Sequence, residues 1–271
     1  RGRFREFWQC DADIAGSASP IADAEVITIM AEALEAIGVP EFVIRISHRR
    51  LLESIGLAVG VPPEQATSLY RAIDKLDKIG RDGVAGELAA AGLSPEQADR
   101  VLDLVTRTGR PAELLDILDK DLREVPGAPD AIADMRVIFD LLPAFGVAER
   151  RFTLDLALAR GLDYYTGPVF EASVTEPKVG SVGGAGRYDG LVGAFLGRPV
   201  PATGMSLGLE RIIEVVREHN LLPAPTSVAD VAVVARVVEG ALLSFTVLGR
   251  KALRTSGRLM VILAMPSSHF S

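Results

Sequence analysis

The chain has 271 residues, 48% of them hydrophobic and 24% charged, with 36 acidic against 29 basic side chains and a net charge of −7. At roughly 100–200 residues per domain this is one large domain or two to three smaller pieces, and the composition excludes a disordered chain. A single cysteine, Cys10, excludes an internal disulfide framework and points to a reducing, cytoplasmic compartment, and no run of about eighteen apolar residues is present to span a bilayer.

The start, Arg1-Gly2-Arg3-Phe4, has neither an initiator Met nor the apolar stretch of a signal peptide, so it reads as the beginning of a fragment or a processed product. From Phe4 to Gly16 the pattern predicts an extended strand. Phe7, Gln9, Asp11 and Asp13 share one parity, and Trp8, Cys10, Ala12 and Ile14 share the other. Ser19-Pro20 opens a helix, Val26, Met30, Ala33, Leu34 and Ile37 form its stripe, and Gly38 stops it. Phe42 to Ile46 follows as a short strand.

Between about Leu51 and Gly146 the sequence predicts helices alone. Ala66, Leu69, Tyr70, Ile73 and Leu76 keep helical spacing up to Gly80, and Ser94-Pro95-Glu96-Gln97 is a capping box. Ile132, Met135, Ile138, Phe139 and Leu142 form a further stripe, closed by Pro143 and Gly146. Strands resume at Phe152–Leu156 and Val169–Val174, separated by the turn signal Tyr165-Thr166-Gly167-Pro168. Gly180–Gly190 is a glycine-rich stretch, open to a loop beside a site, and Gly204 to His219 is read as a helix with two glycines one turn apart. Leu222-Pro223-Ala224-Pro225-Thr226 is a linker, after which Val231–Val234 reads as a strand, Ala241–Leu253 as a helix and Val261–Leu263 as a second strand.

Arg3 and Arg5 lie in the row of Phe7 and Gln9, where two guanidiniums could grip a polyphosphate; the row is equally consistent with a solvated edge strand. Asp13, on the same parity, could meet an N–H-bearing ligand or simply end the strand. Arg160-Gly161-Leu162-Asp163-Tyr164-Tyr165-Thr166-Gly167 packs an arginine, an acid and two tyrosines between strands. A buried phenol needs a hydrogen-bond partner and so can read a polar heterocycle, although a structural turn with tyrosines in the core fits too. Gly184, Gly186 and Gly190 miss the dinucleotide spacing, and no Walker lysine follows. Arg211 lies beside the Gly204–Gly208 stripe, open to a flat ligand or to tight packing. His48, His219 and His269 are scattered, so no zinc site is expected, and no nucleophile elbow occurs.

The order of these segments is more specific than any one of them. Gly2 to Asp13 resembles the second half of motif 2 in histidyl-tRNA synthetases, and Leu158 to Gly167 is similar to that family's histidine-binding signature. Gly186-Arg187-Tyr188-Asp189-Gly190-Leu191 resembles its second histidine signature, and Gly204 to Arg211 its motif 3. The helical block, with Asp74-Lys75-Leu76-Asp77-Lys78-Ile79-Gly80, resembles the insertion between these motifs. The likeness runs from residue 1 to about 222.

This resemblance implies an α+β fold, an antiparallel-sheet class II synthetase core. It divides the chain into core (1–50), helical insertion (51–146), core (147–222) and the first part of a small α/β anticodon-binding domain (226–271). The implied activity is ATP-dependent formation of histidyl-adenylate and transfer of histidine to tRNA(His), with Mg²⁺ accompanying ATP and no dedicated protein metal site. The family roles place Arg3 and Arg211 on ATP phosphates, Arg211 also near the adenine. Gln9 and Arg160 would hold the histidine carboxylate against the α-phosphate, Arg160 being the catalytic cation. Asp13 and Tyr165 would hydrogen-bond the imidazole, Tyr164 would line the pocket and Tyr188 would close it. A homodimer in the cytoplasm, without membrane contact, is implied for the full-length protein. Motif 1, the arginine of motif 2 that meets the α-phosphate and an upstream acid that meets the amino acid are absent, so this stretch alone is expected to be inactive. The regulatory subunit of ATP phosphoribosyltransferase shares the fold without aminoacylating. Arg160, Gln9, Arg211 and the C-terminal strand–helix unit favour the synthetase over it.

Overall fold

The computed structural model describes residues 7–62, 65–159, 164–177 and 179–221, together with the backbone of strands 231–238 and 241–249. Two compact units result, one up to Leu221 and one from Leu222 onward.

In the first unit, strand β1 (Gln9–Ala15) leads into helix α1 (Pro20–Ile37). Ser19 caps α1, its side chain accepting from the Ile21 amide, and Pro20 takes the first turn, where no N–H is needed. Strand β2 (Phe42–His48) follows, then α2 (Arg49–Ala58), α3 (Ala66–Ile73), α4 (Leu76–Ala90), α5 (Pro95–Val105), α6 (Pro111–Leu122) and α7 (Ala128–Ala144). The capping box of α5 forms in full, Ser94 accepting from the Gln97 amide while the Gln97 side chain accepts from the Ser94 amide. Gly80, with φ of 69° and ψ of 179°, is non-helical and breaks α4 into two helical stretches at the position where the sequence pattern ends. Strands β3 (Phe152–Leu154), β4 (Pro168–Val174) and β5 (Ser181–Arg187) come next, then α8 (Asp189–Leu196), β6 (Ala202–Gly208) and α9 (Leu209–Glu218).

The six strands form one sheet in the order β1-β6-β5-β4-β2-β3, antiparallel throughout except for the parallel pair β2–β3. Helix α1 closes one face, with Ala24, Val26, Ile27, Met30 and Leu34 fully buried. The core continues from this face through Ile44, Ile46, Phe170 and Met205 into Leu51, Leu69, Val101, Met135 and Leu142 of the helices. The mixed α+β architecture with its mostly antiparallel sheet is the one the sequence implies.

Three expectations are corrected. The glycine-rich stretch is not a loop, for Ser181–Arg187 is the central strand β5. A Cβ at Gly183 would lie 2.8 Å from Leu207 and 3.3 Å from Met30, so the glycines let neighbours close onto the strand. The helix expected from Gly204 begins only at Leu209, because Gly204–Gly208 belongs to β6. There Met205 and Leu207 alternate with Gly204, Ser206 and Gly208, a period of two that a sheet satisfies and a helix does not. In the second unit, β7 (Val231–Val238) pairs antiparallel with β8 (Ala241–Gly249), so the helix expected from Ala241 is a hairpin strand. Phe245, Thr246 and Val247 suit a strand, and only two residues separate the pair, as a hairpin allows. The strand expected at Val261–Leu263 lies outside the described residues.

Candidate active site

The face of the sheet away from α1 is polar and bare in its middle. Antiparallel register aligns Asp13 with Gly204 and Gly204 with Gly186, and likewise Asp11 with Ser206 and Ser206 with Gly184. Side chains alternate across a strand, so Gln9, Asp11 and Asp13 of β1 share this face with Gly204, Ser206 and Gly208 of β6 and Gly184 and Gly186 of β5. Farther across, Glu171 of β4 pairs with Gly184 on one side and Arg45 of β2 on the other. The glycines form a floor on which side chains and ligands can lie flat.

At one end of this floor the geometry is tight. A Cβ at Gly204 would fall 1.7 Å from the Asp13 carboxylate, so only glycine lets that carboxylate turn in over the sheet. The Tyr188 hydroxyl donates to Asp13 Oδ1. The Tyr165 ring covers Gly186, where a Cβ would be 2.8 Å from ring carbons, and the Tyr164 ring lies against it, tilted by 48° with centroids 4.2 Å apart. Burial, then the hydrogen bond and charge of Tyr164, then Tyr188 and Asp13, push the Tyr165 phenol well above its ordinary value. Burial, then the bond and charge of Asp13, do the same to Tyr188. Both phenols therefore remain protonated donors, and Asp13 is an acceptor beside them. A donor–acceptor pair of this kind suits a neutral heterocycle bearing one N–H and one bare nitrogen.

Along β1, Gln9 lies four residues before Asp13, a span of about 13 Å. Its side-chain amide donates to Ser206. Near this end α9 begins: the Leu209 amide donates to the Trp8 carbonyl and the Trp8 amide to Glu210. Arg211 donates to the Ser181 carbonyl, at the end of β5 opposite Arg187. The floor thus runs from a phenol–carboxylate end to a guanidinium end, with Gln9 closer to the latter.

A cavity of about 220 Å³ borders the Ser181 side, lined by Arg45, Asp77, Lys78, Glu171, Ser173 and Gly180 among others. Arg45 donates to Asp155 and, at 2.8 Å, to Asp77, which ties the Asp74–Gly80 segment of the helical block to the sheet. Burial works against the Arg45 charge, but the Asp155 and Asp77 carboxylates outweigh it and hold its pKa above the ordinary value.

Gln9, Asp13, Tyr164, Tyr165 and Tyr188 are thus gathered on or beside one face, and Arg211 stands at its far end. Arg3 and Arg160 lie outside the described residues. Reasoning from sequence missed Glu171, Ser206 and Arg45. Glu171 is 4% exposed on a strand otherwise made of Pro, Val, Phe, Ala and Ser, and that lone charge in the strand was the available signal. Among the described residues, no three His, Cys, Asp or Glu side chains converge to hold a metal ion, and no helix is long and apolar enough to cross a membrane.

A family model described as Histidyl-tRNA synthetase matches residues 1–212. The chain belongs to the histidyl-tRNA synthetase family. It is 44% identical over 243 residues to the histidine–tRNA ligase of Aeropyrum pernix, covering 86% of this chain and 53% of that protein. It is 43% identical over 244 residues to that of Korarchaeum cryptofilum, covering 87% and 53%. Among solved structures, histidyl-tRNA synthetase from Nostoc sp. PCC 7120 superposes with a TM-score of 0.78 at 34% identity, over 88% of this chain and 57% of that one. An ATP phosphoribosyltransferase regulatory subunit/histidyl-tRNA synthetase from Bacillus halodurans superposes with a TM-score of 0.68 at 27% identity, over 77% and 53%. The chain spans about half the length of the curated relatives it matches.

Proposed function

We propose that the protein carrying this chain activates L-histidine with ATP to histidyl-adenylate and transfers the histidyl group to tRNA(His). The observation that carries this reading is the Asp13–Tyr188–Tyr165 cluster on the glycine floor, in a chain of this family. A carboxylate paired with half-buried phenols over the glycine floor penalises side chains that cannot pair with both, which is how a site selects imidazole over an isostere.

In the first step a histidine carboxylate oxygen attacks the α-phosphorus of ATP, the bond to the β-phosphate oxygen breaks, and pyrophosphate leaves. In the second a terminal ribose hydroxyl of tRNA attacks the histidyl carbonyl carbon and AMP leaves. Bringing two anions together needs fixed positive charge rather than a strong base. Arg160 takes that role in this reading, with Arg3 and Arg211 on the nucleotide phosphates and Gln9 on the histidine carboxylate. Mg²⁺ accompanying ATP would be held mainly by phosphate oxygens and water. It would neutralise phosphate charge. The division into core, helical insertion and an anticodon-binding segment from 226 belongs to this reading, as do a cytoplasmic location and a homodimer. With Ala241–Gly249 a strand, the C-terminal assignment rests on position in the chain rather than on a strand–helix unit.

Histidine-dependent ATP–pyrophosphate exchange by the full-length protein tests the proposal. Robust exchange is expected, reduced by about 10²-fold or more in Arg160→Ala. Exchange indifferent to histidine, or undiminished in Arg160→Ala, overturns it. The similarity to the Bacillus halodurans structure supports a second reading, a regulatory subunit that binds histidine without activating it. Histidine binding with no exchange would select that reading.

A further inference from the structure

Arg187 is buried at 6% exposure, and none of its five side-chain hydrogen bonds goes to Asp13, Tyr164, Tyr165 or Tyr188. Its guanidinium has five N–H donors, and five hydrogen bonds use them. Nε and Nη2 donate to Asp23 Oδ2 at 3.0 and 2.6 Å, Nη2 also to the Ser19 carbonyl at 3.0 Å, and Nη1 to the Ser17 carbonyl at 2.9 Å and to Asp189 at 3.2 Å. Asp23, in the first turn of α1, is 1% exposed. The chain between β1 and α1 is thereby pinned to the end of β5.

The backbone around Arg187 reaches the candidate pocket from two sides. Its carbonyl accepts from the Thr166 amide at 2.8 Å, and Thr166 Oγ1 accepts from the Asp189 amide at 3.1 Å. These bonds hold the residue next to Tyr165. The Arg187 stem packs on Gly167, where a Cβ would lie 2.9 Å from Cδ. Tyr188, the next residue, is anchored by its amide to the Ala202 carbonyl at 2.7 Å, and Asp189 accepts from the Ala202 amide at 3.1 Å. One guanidinium therefore sits where the Tyr165 turn, the Tyr188 backbone and the exit from β1 meet.

We propose that the Arg187–Asp23 pair is a positioning device for the amino-acid pocket, setting where Tyr165 and Tyr188 stand relative to Asp13. The proposal rests on the function proposed above and deepens it, since neither residue is assigned a role there. A shift of about 1 Å in either phenol would misplace its donor against the ligand nitrogen. The ATP end, where Arg211 sits at the opposite end of β5, is remote from the device and is not set by it.

Lysine at 187 keeps the positive charge against Asp23 but offers three donors on a compact head, so it cannot hold Asp23, both carbonyls and Asp189 together. Arg187→Lys in the full-length protein, assayed by ATP–pyrophosphate exchange with each substrate varied, should raise the KM for histidine about tenfold or more and leave the KM for ATP within about twofold. Arg187→Met should shift it further, and Asp23→Asn should move the same constant in the same direction. A merely structural role would lower kcat with the folded fraction and leave the histidine KM of the surviving molecules unchanged. That outcome, or equal rises in both KM values, overturns the proposal while the functional reading stands. If Arg187→Lys does not fold, Asp23→Asn decides alone by the same criterion. An unmodified protein without histidine-dependent exchange removes the functional reading and this inference with it.

Discussion

The two faces of the six-stranded sheet are made by the same strands and obey opposite rules. On the face under α1, alternate positions carry Ile44, Ile46, Phe170, Met205 and Leu207, all buried against the helix. On the other face the alternate positions of β5 and β6 carry Gly184, Gly186, Gly204 and Ser206. The first face is filled to exclude water and stabilises the fold. The second is emptied so that Asp13 and Tyr165 can lie over the strands. Stability and the candidate chemistry are thus separated by the pleat of the sheet.

That separation can be broken from either side. Gly204→Ala should have the largest effect on activity, because the new Cβ would sit 1.7 Å from the Asp13 carboxylate and drive it off the floor. Histidine-dependent exchange should fall about 10²-fold or more, with little change in the urea midpoint, if this face serves function rather than folding. A parallel loss of stability would erase the distinction between the faces. Phe170→Ala, on the filled face, should cost about 3–5 kcal/mol in urea unfolding by lost transfer energy and a cavity.

A smaller effect sharpens the contrast with the helical block. The Tyr70 phenol there is pushed up to about 12, by burial first and by the charge of Glu53 second, with Arg49 pulling it down. An unfolded tyrosine ionises near pH 10, so Tyr70 contributes stability that is full below about pH 10 and lost as pH rises through about 12. This is of the order of 1–3 kcal/mol, and Tyr70→Phe should flatten that part of a plot of urea midpoint against pH. Ser94→Ala, which removes half of the capping box of α5, should cost about 1 kcal/mol and leave exchange untouched.

Where a residue's partners are local in sequence, the sequence was legible. Ser19-Pro20, the Ser94–Gln97 box and the alternation around Gln9 to Ile14 each announce their element, because a cap or a strand face is decided within a few residues. The members of the site were legible as residue types in a known order, and Gln9, Asp13, Tyr165 and Tyr188 converge on one floor. The glycine-rich strands were misread for a physical reason. Glycine weakens both helix and strand propensity, and what stabilises β5 and β6 is pairing with each other and with β4 and β1. Glu171 and Arg45 escaped notice similarly, since an acid and a base on separate strands become neighbours only through register.

By itself, then, the order of motifs determined the family and the α+β class, and it singled out Gln9, Asp13, Tyr165 and Tyr188, which lie on or beside one face of the sheet. Tertiary structure alone decided that two glycine runs would be strands, that Asp13 would turn inward over Gly204, and that Asp23 and Arg187, 164 residues apart, would share a buried pair. The reason is reach: caps and alternation act over a few residues, whereas the room a missing Cβ leaves is defined only by what a distant strand or ring brings into it.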